Sequence, residues 1–330
     1  MIEKCSTKQP KVSVIMICFN SAKYLREAID SVYAQSYKDW EIILWDNASV
    51  DDSVEIAKRY DSRLKLFENK KRVSLGKARN LAIERAQGEY IAFLDCDDIW
   101  MPEKLEKQIS ILERNCSIGI IFCDTIIFNE KGAQGRQFSI TKPAKGKVFR
   151  TLLIRNFLLM PSVIIRKEAL LKLDHWFDPR FNIIEEADLF LRIANDWLLD
   201  YTHEALAKYR VANTIYSWIE KKSRSMNEQA MMLEKFSKMY QNFDKQYAQE
   251  IGIIRSRIQY YKALCDLERG DNIRARRRMK PQLLNGIKFV LLYAMSYLPN
   301  AWNLYWKVMK ARSAILSIPL PASPYKKGNC

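Results

Sequence analysis

The chain has 330 residues, 48% of them hydrophobic, enough for one large core plus an appendage, since single cores stop growing at roughly 250–300 residues. Ten glycines and ten prolines exclude collagen-like or long low-complexity stretches. The formal charge of +16 is uneven: residues 201–330 hold 23 Lys+Arg against 9 Asp+Glu, whereas residues 1–200 hold 31 against 29, so an anionic partner is expected for the tail alone.

Val12 to Phe19 is a near-continuous apolar run and reads as a strand buried on both faces. Asn20-Ser21 then offers a cap for a helix over Tyr24 to Gln35. Glu41 to Trp45 is a second buried strand, ended by Asp46-Asn47-Ala48-Ser49. A helix capped by Asp51 or Asp52 follows, then a short strand over Leu64 to Phe67 and a helix over Leu75 to Ala86. Gly88 breaks the chain before a fourth buried strand, Tyr90 to Leu94. Met101-Pro102 opens a helix reaching Arg114, and Ile118 to Phe122 is another strand. This alternation predicts a doubly wound α/β layer. The region 126–165 is less regular, with a strand over Ser162 to Ile165 and a short helix over Lys167 to Leu173. Asp188 to Ala194 has helical spacing, and Lys208 to Val211 reads as a terminal strand.

From about Ile215 the pattern is helical only: Met226 to Phe243, a pair over Ile253 to Leu267 and Asn272 to Met279, and an apolar segment from Ile287 interrupted at Pro299. Pro319, Pro321 and Pro324 suggest a frayed end. The expected division is therefore residues 1–214 as an α/β domain and 215–330 as a basic helical region. The longest apolar run in the tail, Phe289 to Leu298, is about half of the ~20 residues that span a bilayer. The polar start, Met1 to Lys11, carries no signal-peptide core. Seven scattered cysteines with no Cys-x-x-Cys pair, and only two histidines, do not support a zinc site and suit a reduced, cytosolic chain.

Chemistry concentrates at the strand ends, where open α/β sheets bind ligands. In Asp95-Cys96-Asp97-Asp98, three carboxylates within four residues repel one another unless a cation offsets them. Hard oxygen donors of this kind suit Mg²⁺ or Mn²⁺; a solvated turn before the next helix is the plainer alternative. Asp46, at another strand end, can accept a hydrogen bond from a base N–H, or simply cap a turn. Arg79 can pair with phosphate or carboxylate, or lie on the surface. Glu185-Glu186-Ala187-Asp188 offers a general base, although acidic residues at a helix start also complement its dipole.

In order, these pieces resemble the family 2 inverting glycosyltransferases with a GT-A fold. The series runs Val12-Ser13-Val14-Ile15, Asn20, Ser31-Val32, Gln35-Ser36-Tyr37, Glu41-Ile42-Ile43, Asp46 with Ser49, Ala78-Arg79-Asn80, Gly88-Glu89-Tyr90 and Leu94 to Asp98. It extends through Pro102, Lys104-Leu105 and Gln108, then recurs at Ser162 to Arg166, Glu185-Glu186 to Arg192 and Tyr209-Arg210-Val211. The resemblance implies a nucleotide-diphospho-sugar transferase fold, a Rossmann-like doubly wound mixed sheet. It also implies a nucleotide-diphospho-sugar donor, of the UDP-sugar type, and inversion at the anomeric carbon. Asn20, Asp46, Arg79 and Asp95 would then contact the donor. Asp97, with Asp95, would hold Mn²⁺ or Mg²⁺, and Glu186 would be the catalytic base. Three positions depart from the family pattern: Ile17-Cys18-Phe19 replaces Pro-Thr before Tyr-Asn, Glu186 stands where an aspartate is usual, and Ala212 replaces a frequent histidine. The Gln-x-x-Arg-Trp signature of processive synthases is absent, so one sugar per cycle is expected.

The resemblance points to surface polysaccharide or lipopolysaccharide assembly, with a saccharide or lipid-linked saccharide as acceptor. The location expected is the cytoplasm, peripheral at the inner face of the membrane. A basic stretch, Arg274, Arg276, Arg277, Arg278 and Lys280, would meet anionic lipid, with Phe289, Val290, Leu291, Leu292 and Tyr293 resting in the interface. Nucleic acid is disfavoured because no reader motif accompanies the charge. The competing reading is a catalytically weak binding protein of the same fold whose basic tail is the working part.

Overall fold

The computed structural model describes residues 9–211, 218–298, 300–305 and 307. Pro299, Pro319, Pro321, Pro324, Ala212 and the expected boundary after residue 214 lie outside them. The chain divides into two compact units, Met1–Ala212 and Asn213–Cys330.

The first unit is built on one mixed sheet. Its strands are β1 (Val12–Cys18), β2 (Trp40–Asp46), β3 (Leu64–Glu68), β4 (Tyr90–Phe93), β5 (Ile99–Trp100), β6 (Ile118–Asn129), β7 (Gly132–Arg136), β8 (Ile164–Arg166) and β9 (Leu198–Arg210). They lie in the order β3-β2-β1-β4-β8-β6-β9-β5, with β7 beside β6. The first four are parallel, whereas β8 runs antiparallel to both of its neighbours. Every residue of β2 and β4 is buried, as expected for parallel strands covered on both faces. The helix Ala22–Tyr33 supplies part of that cover by burying Leu25, Ala28, Ile29 and Val32, one face at helical spacing.

A polar tie sets the parallel strands in register. Ser13 Oγ donates to Glu41 Oε1 (2.6 Å) and accepts from the backbone N–H of Gly88 (2.8 Å). Gly88 is required there by proximity, because a Cβ would lie 2.5 Å from the Ser13 nitrogen. Gly88→Ala is therefore expected to cost about 1–3 kcal/mol of stability, the range for overpacking. Urea unfolding measures this; an unchanged midpoint would show that the strands accommodate the methyl group.

Several boundaries differ from the sequence expectation. β6 runs on to Asn129 and β9 begins at Leu198, because the two pair in parallel over nearly their whole length. Polar residues such as Asp124, Thr125, Asp200 and His203 hide that pairing from an apolar-run argument. The helix after Pro102 starts at Lys104, not at Met101. Met101 N–H instead donates to Leu206 O, and the Pro102 carbonyl accepts from Ser36, so both groups are committed outside the helix. Glu185 and Glu186 lie within the first turn of the helix Glu185–Asp196 rather than before it.

The second unit is helical, with Trp218–Met239, Phe243–Gln246, Ala248–Glu268, Asn272–Met279 and Ile287–Met295. The helix expected to reach Phe243 stops at Met239, before Asn242 turns with a left-handed φ of 58°. Asp271 caps Asn272–Met279 by accepting from Arg274 N–H (2.9 Å). No helix among the described residues is long and apolar enough to cross a membrane.

Candidate active site

Register brings the expected residues to one edge of the sheet. Cys18, the last residue of β1, pairs with Asp46, the last of β2. Ile15 pairs with Phe93, so the chain leaving β4 delivers Asp95 to Asp98 beside the same ends. Cys96 Sγ bonds the Ile17 carbonyl at 3.2 Å and fixes that turn. The result is an open cleft of about 520 Å³ whose lining includes Asn20, Asn47, Arg72, Asp95 and Asp97.

Asp46 is buried. Its Oδ2 accepts from Ser49 N–H (3.0 Å), and its Oδ1 has no hydrogen-bond partner among the described residues. Asn20 has a left-handed φ of 50°, a conformation asparagine tolerates better than most residues. Its Oδ1 accepts from Val50 N–H (2.9 Å), and its own N–H donates to Ser49 Oγ (2.9 Å). Asn20 thus laces the β1 and β2 loops together at the cleft wall. Asn47 ties the next loop, accepting from Val73 N–H and donating to Val73 O.

Arg79 is buried on the helix Leu75–Arg85. Its Nη2 donates to Asp95 Oδ1 (3.2 Å) and its Nη1 to Glu185 Oε1 (3.1 Å). The guanidinium therefore engages carboxylates, one of the two partners the sequence allowed. Burial works against its charge, but Asp95, Glu186 and Glu185 together outweigh that and hold Arg79 above its ordinary pKa. Residues 79, 95, 185 and 186, far apart in sequence, thus share one electrostatic centre.

The other acids are not compensated in this way. Burial, and then the Asp95 charge, push the Asp97 carboxyl above its usual range. Among the described residues no side-chain cation forms an ion pair with Asp97; Arg210 Nε bonds only its backbone carbonyl (2.7 Å). Asp98 is buried and pushed up further, again by burial first and Asp95 second. Its Oδ1 accepts from Arg210 N–H (2.7 Å), while Oδ2 has no hydrogen-bond partner among the described residues. Asp98 therefore anchors the end of β9 and does not cap the helix that follows. Tyr209, on that same strand end, is raised by burial and by Asp98, Asp95, Glu186 and Asp97, so its phenol lies in the field of the whole acidic group.

Glu186 is half-buried, whereas Asp188 is fully buried and paired with Arg192 at 2.9 Å. His175, Asp178 and Asp188 also bring potential ligand atoms within 4.8 Å of one another. Arg180 and Arg192 already neutralise those two carboxylates, so this group needs no cation. Lys23, Tyr24 and Arg72 line the cleft and were not singled out from sequence. Arg72 stacks on Phe19, 3.8 Å from the ring centroid. Their signal was positional: Lys23 and Tyr24 open the helix after β1, and Arg72 ends the basic run Lys70-Lys71-Arg72.

The sequence profile of Glycosyl transferase family 2 matches residues 13–173. An uncharacterized glycosyltransferase of Methanocaldococcus jannaschii is 34% identical over 211 residues, spanning 62% of this chain and 72% of the relative. Escherichia coli WfgD, a UDP-Glc:alpha-D-GlcNAc-diphosphoundecaprenol beta-1,3-glucosyltransferase, is 35% identical over 140 residues, 42% of this chain and 55% of its own. Among solved structures, the mannosyltransferase PcManGT from Pyrobaculum calidifontis, in complex with GDP-Man and Mn²⁺, superposes with a TM-score of 0.60. Its identity is 17% over 96% of this chain and 82% of that one, a likeness of fold. The sheet is thus the GT-A sheet, and the chain belongs to glycosyl transferase family 2.

Proposed function

We propose that residues 1–214 form a catalytic domain that transfers one sugar per cycle from a nucleotide-diphospho-sugar, of the UDP-sugar type, with inversion. The acceptor is a saccharide or lipid-linked saccharide, and the setting is surface polysaccharide or lipopolysaccharide assembly at the inner face of the membrane. The observation that carries this reading is the bridge made by Arg79. It joins Asp95 in the cleft to Glu185, the neighbour of Glu186, so the two acidic segments are held around one cation. WfgD's name, with its UDP-Glc donor and diphosphoundecaprenol-linked acceptor, supports the choice of substrates.

Each residue then has a physical task. The unpartnered Asp46 Oδ1 accepts a base N–H, and the Asn20 lacing shapes the wall beside it. Asp97, beside Asp95 and in no ion pair among the described residues, fits a hard divalent cation, Mn²⁺ or Mg²⁺, because oxygen donors and excess negative charge are what such ions need. When bound, the ion supplies neutralisation of the charge that develops on the diphosphate leaving group. Arg79 is a positioning residue that fixes Asp95. The Glu186 carboxylate takes the proton of the acceptor hydroxyl as the acceptor oxygen bonds the anomeric carbon and the carbon–oxygen bond to the diphosphate breaks. Displacement from the face opposite the leaving group gives inversion.

Thermal-shift measurements across UDP- and GDP-sugars test the donor class. The UDP-sugar series is expected to raise the melting temperature when Mn²⁺ is present and to do little without it. Stabilisation by none of them would remove the donor assignment.

A further inference from the structure

We propose that the second unit carries a docking surface for an anionic lipid bilayer, made by the outward face of the helix Ile287–Met295 and the basic segment that precedes it. The helix is apolar on two opposite faces, and the unit's core uses only one. Phe289 and Leu292 are buried with Ala275, Met279 and Trp302. That corrects the expectation that residues 289–293 share one interface. On the other side Ile287, Val290, Leu291 and Ala294 follow i, i+3, i+4, i+7 spacing, and all are exposed, Ile287 to 71%. Leu284, in the turn before the helix, is fully exposed, and Leu298 is exposed just beyond its end.

Charge identifies the occupant. Residues 272–298 contain six Lys+Arg and no Asp or Glu. Two of these are occupied: Arg278 lies 2.6 Å and Arg274 3.8 Å from the Asp266 carboxylate. Arg276, Arg277, Lys280 and Lys288 form no ion pair among the described residues. Arg276 sits 4.4 Å above the Tyr297 ring. An apolar stripe beside unpaired cations matches an anionic bilayer, whose acyl boundary takes the stripe while its headgroups take the charge. A nucleic acid would use the cations and leave the stripe in water; a protein partner would need acidic groups around an apolar knob.

This surface deepens the proposed function, resting on it only for the lipid-linked acceptor, so the two are tested apart. The full chain is sedimented with vesicles of phosphatidylcholine plus phosphatidylglycerol, and with pure phosphatidylcholine, over a salt series. Binding to the anionic vesicles alone, weakening with salt, is expected. Val290→Glu/Leu291→Glu and Arg277→Glu/Lys280→Glu should each reduce the bound fraction at least ~10-fold, since one basic contact is worth about fivefold. Melting temperature and metal-dependent donor hydrolysis should be unchanged in both variants. No binding at low salt, or binding unaffected by the apolar double variant, would overturn the surface while leaving the transferase reading standing. A lowered melting temperature in the apolar variant would assign the stripe to packing within the chain and overturn it equally. Lost donor hydrolysis in the wild-type chain with vesicle binding retained would instead count against the proposed function.

Discussion

Asp97→Ala is expected to lower metal-dependent donor hydrolysis and transfer by about 10³-fold or more, equivalent to roughly 4 kcal/mol of barrier. The reasoning is electrostatic. Asp97 lies in the cleft with its carboxyl pushed above the usual range by burial and by Asp95, and among the described residues no side-chain ion pair relieves it. A raised carboxyl pKa in the fold means that ionised Asp97 opposes folding at neutral pH, and that this cost fades as pH falls through the raised value. Removing the side chain should therefore leave the melting temperature of the metal-free protein unchanged or higher, while activity disappears. A merely structural aspartate would lose stability and activity together. Activity retained in Asp97→Ala would assign the acidic cluster to a turn.

Glu186→Gln is expected to cost 10²- to 10⁴-fold in transfer, the range for a general base, with donor binding intact. The amide keeps the shape and cannot accept the hydroxyl proton. Asp188→Asn separates this role from its neighbour. Asp188 is fully buried against Arg192, and breaking such a pair costs about 3–5 kcal/mol, so its loss should appear as destabilisation. Single-turnover kinetics with calorimetric donor binding would distinguish the two. If Asp188→Asn stops transfer in a stably folded protein while Glu186→Gln does not, the base is misassigned.

The parallel half of the sheet was legible because β1, β2 and β4 are near-continuous apolar runs, broken only by Ser13, Glu41 and the terminal Asp46, and a strand buried on both faces needs little else. Their carboxyl ends then located Asp46 and Asp95 to Asp98. The partners of these residues were not legible. Arg79 meets Glu185 across 106 positions, and Asp98 meets Arg210 across 112, contacts that no local period encodes. The β6–β9 pairing was obscured for a related reason: its polar residues are satisfied by tertiary neighbours, as when Asp124 accepts from Arg136 Nε (2.6 Å). In the second unit the apolar character of residues 287–298 was visible, but which residues face inward was not. Only the packing of Phe289 and Leu292 divides that helix into a buried face and an outward one.

In the proposed site the cleft holds a nucleoside diphosphate through a cation gripped by Asp97. Calorimetric titration of UDP and of GDP into the wild-type chain, with Mn²⁺ and with chelator, tests it most directly. UDP is expected to bind at least ~10-fold more tightly with Mn²⁺, and Asp97→Ala to remove this gain while leaving the weaker metal-free binding in place. Equal affinity with and without the ion, or a metal gain that survives in Asp97→Ala, would contradict it.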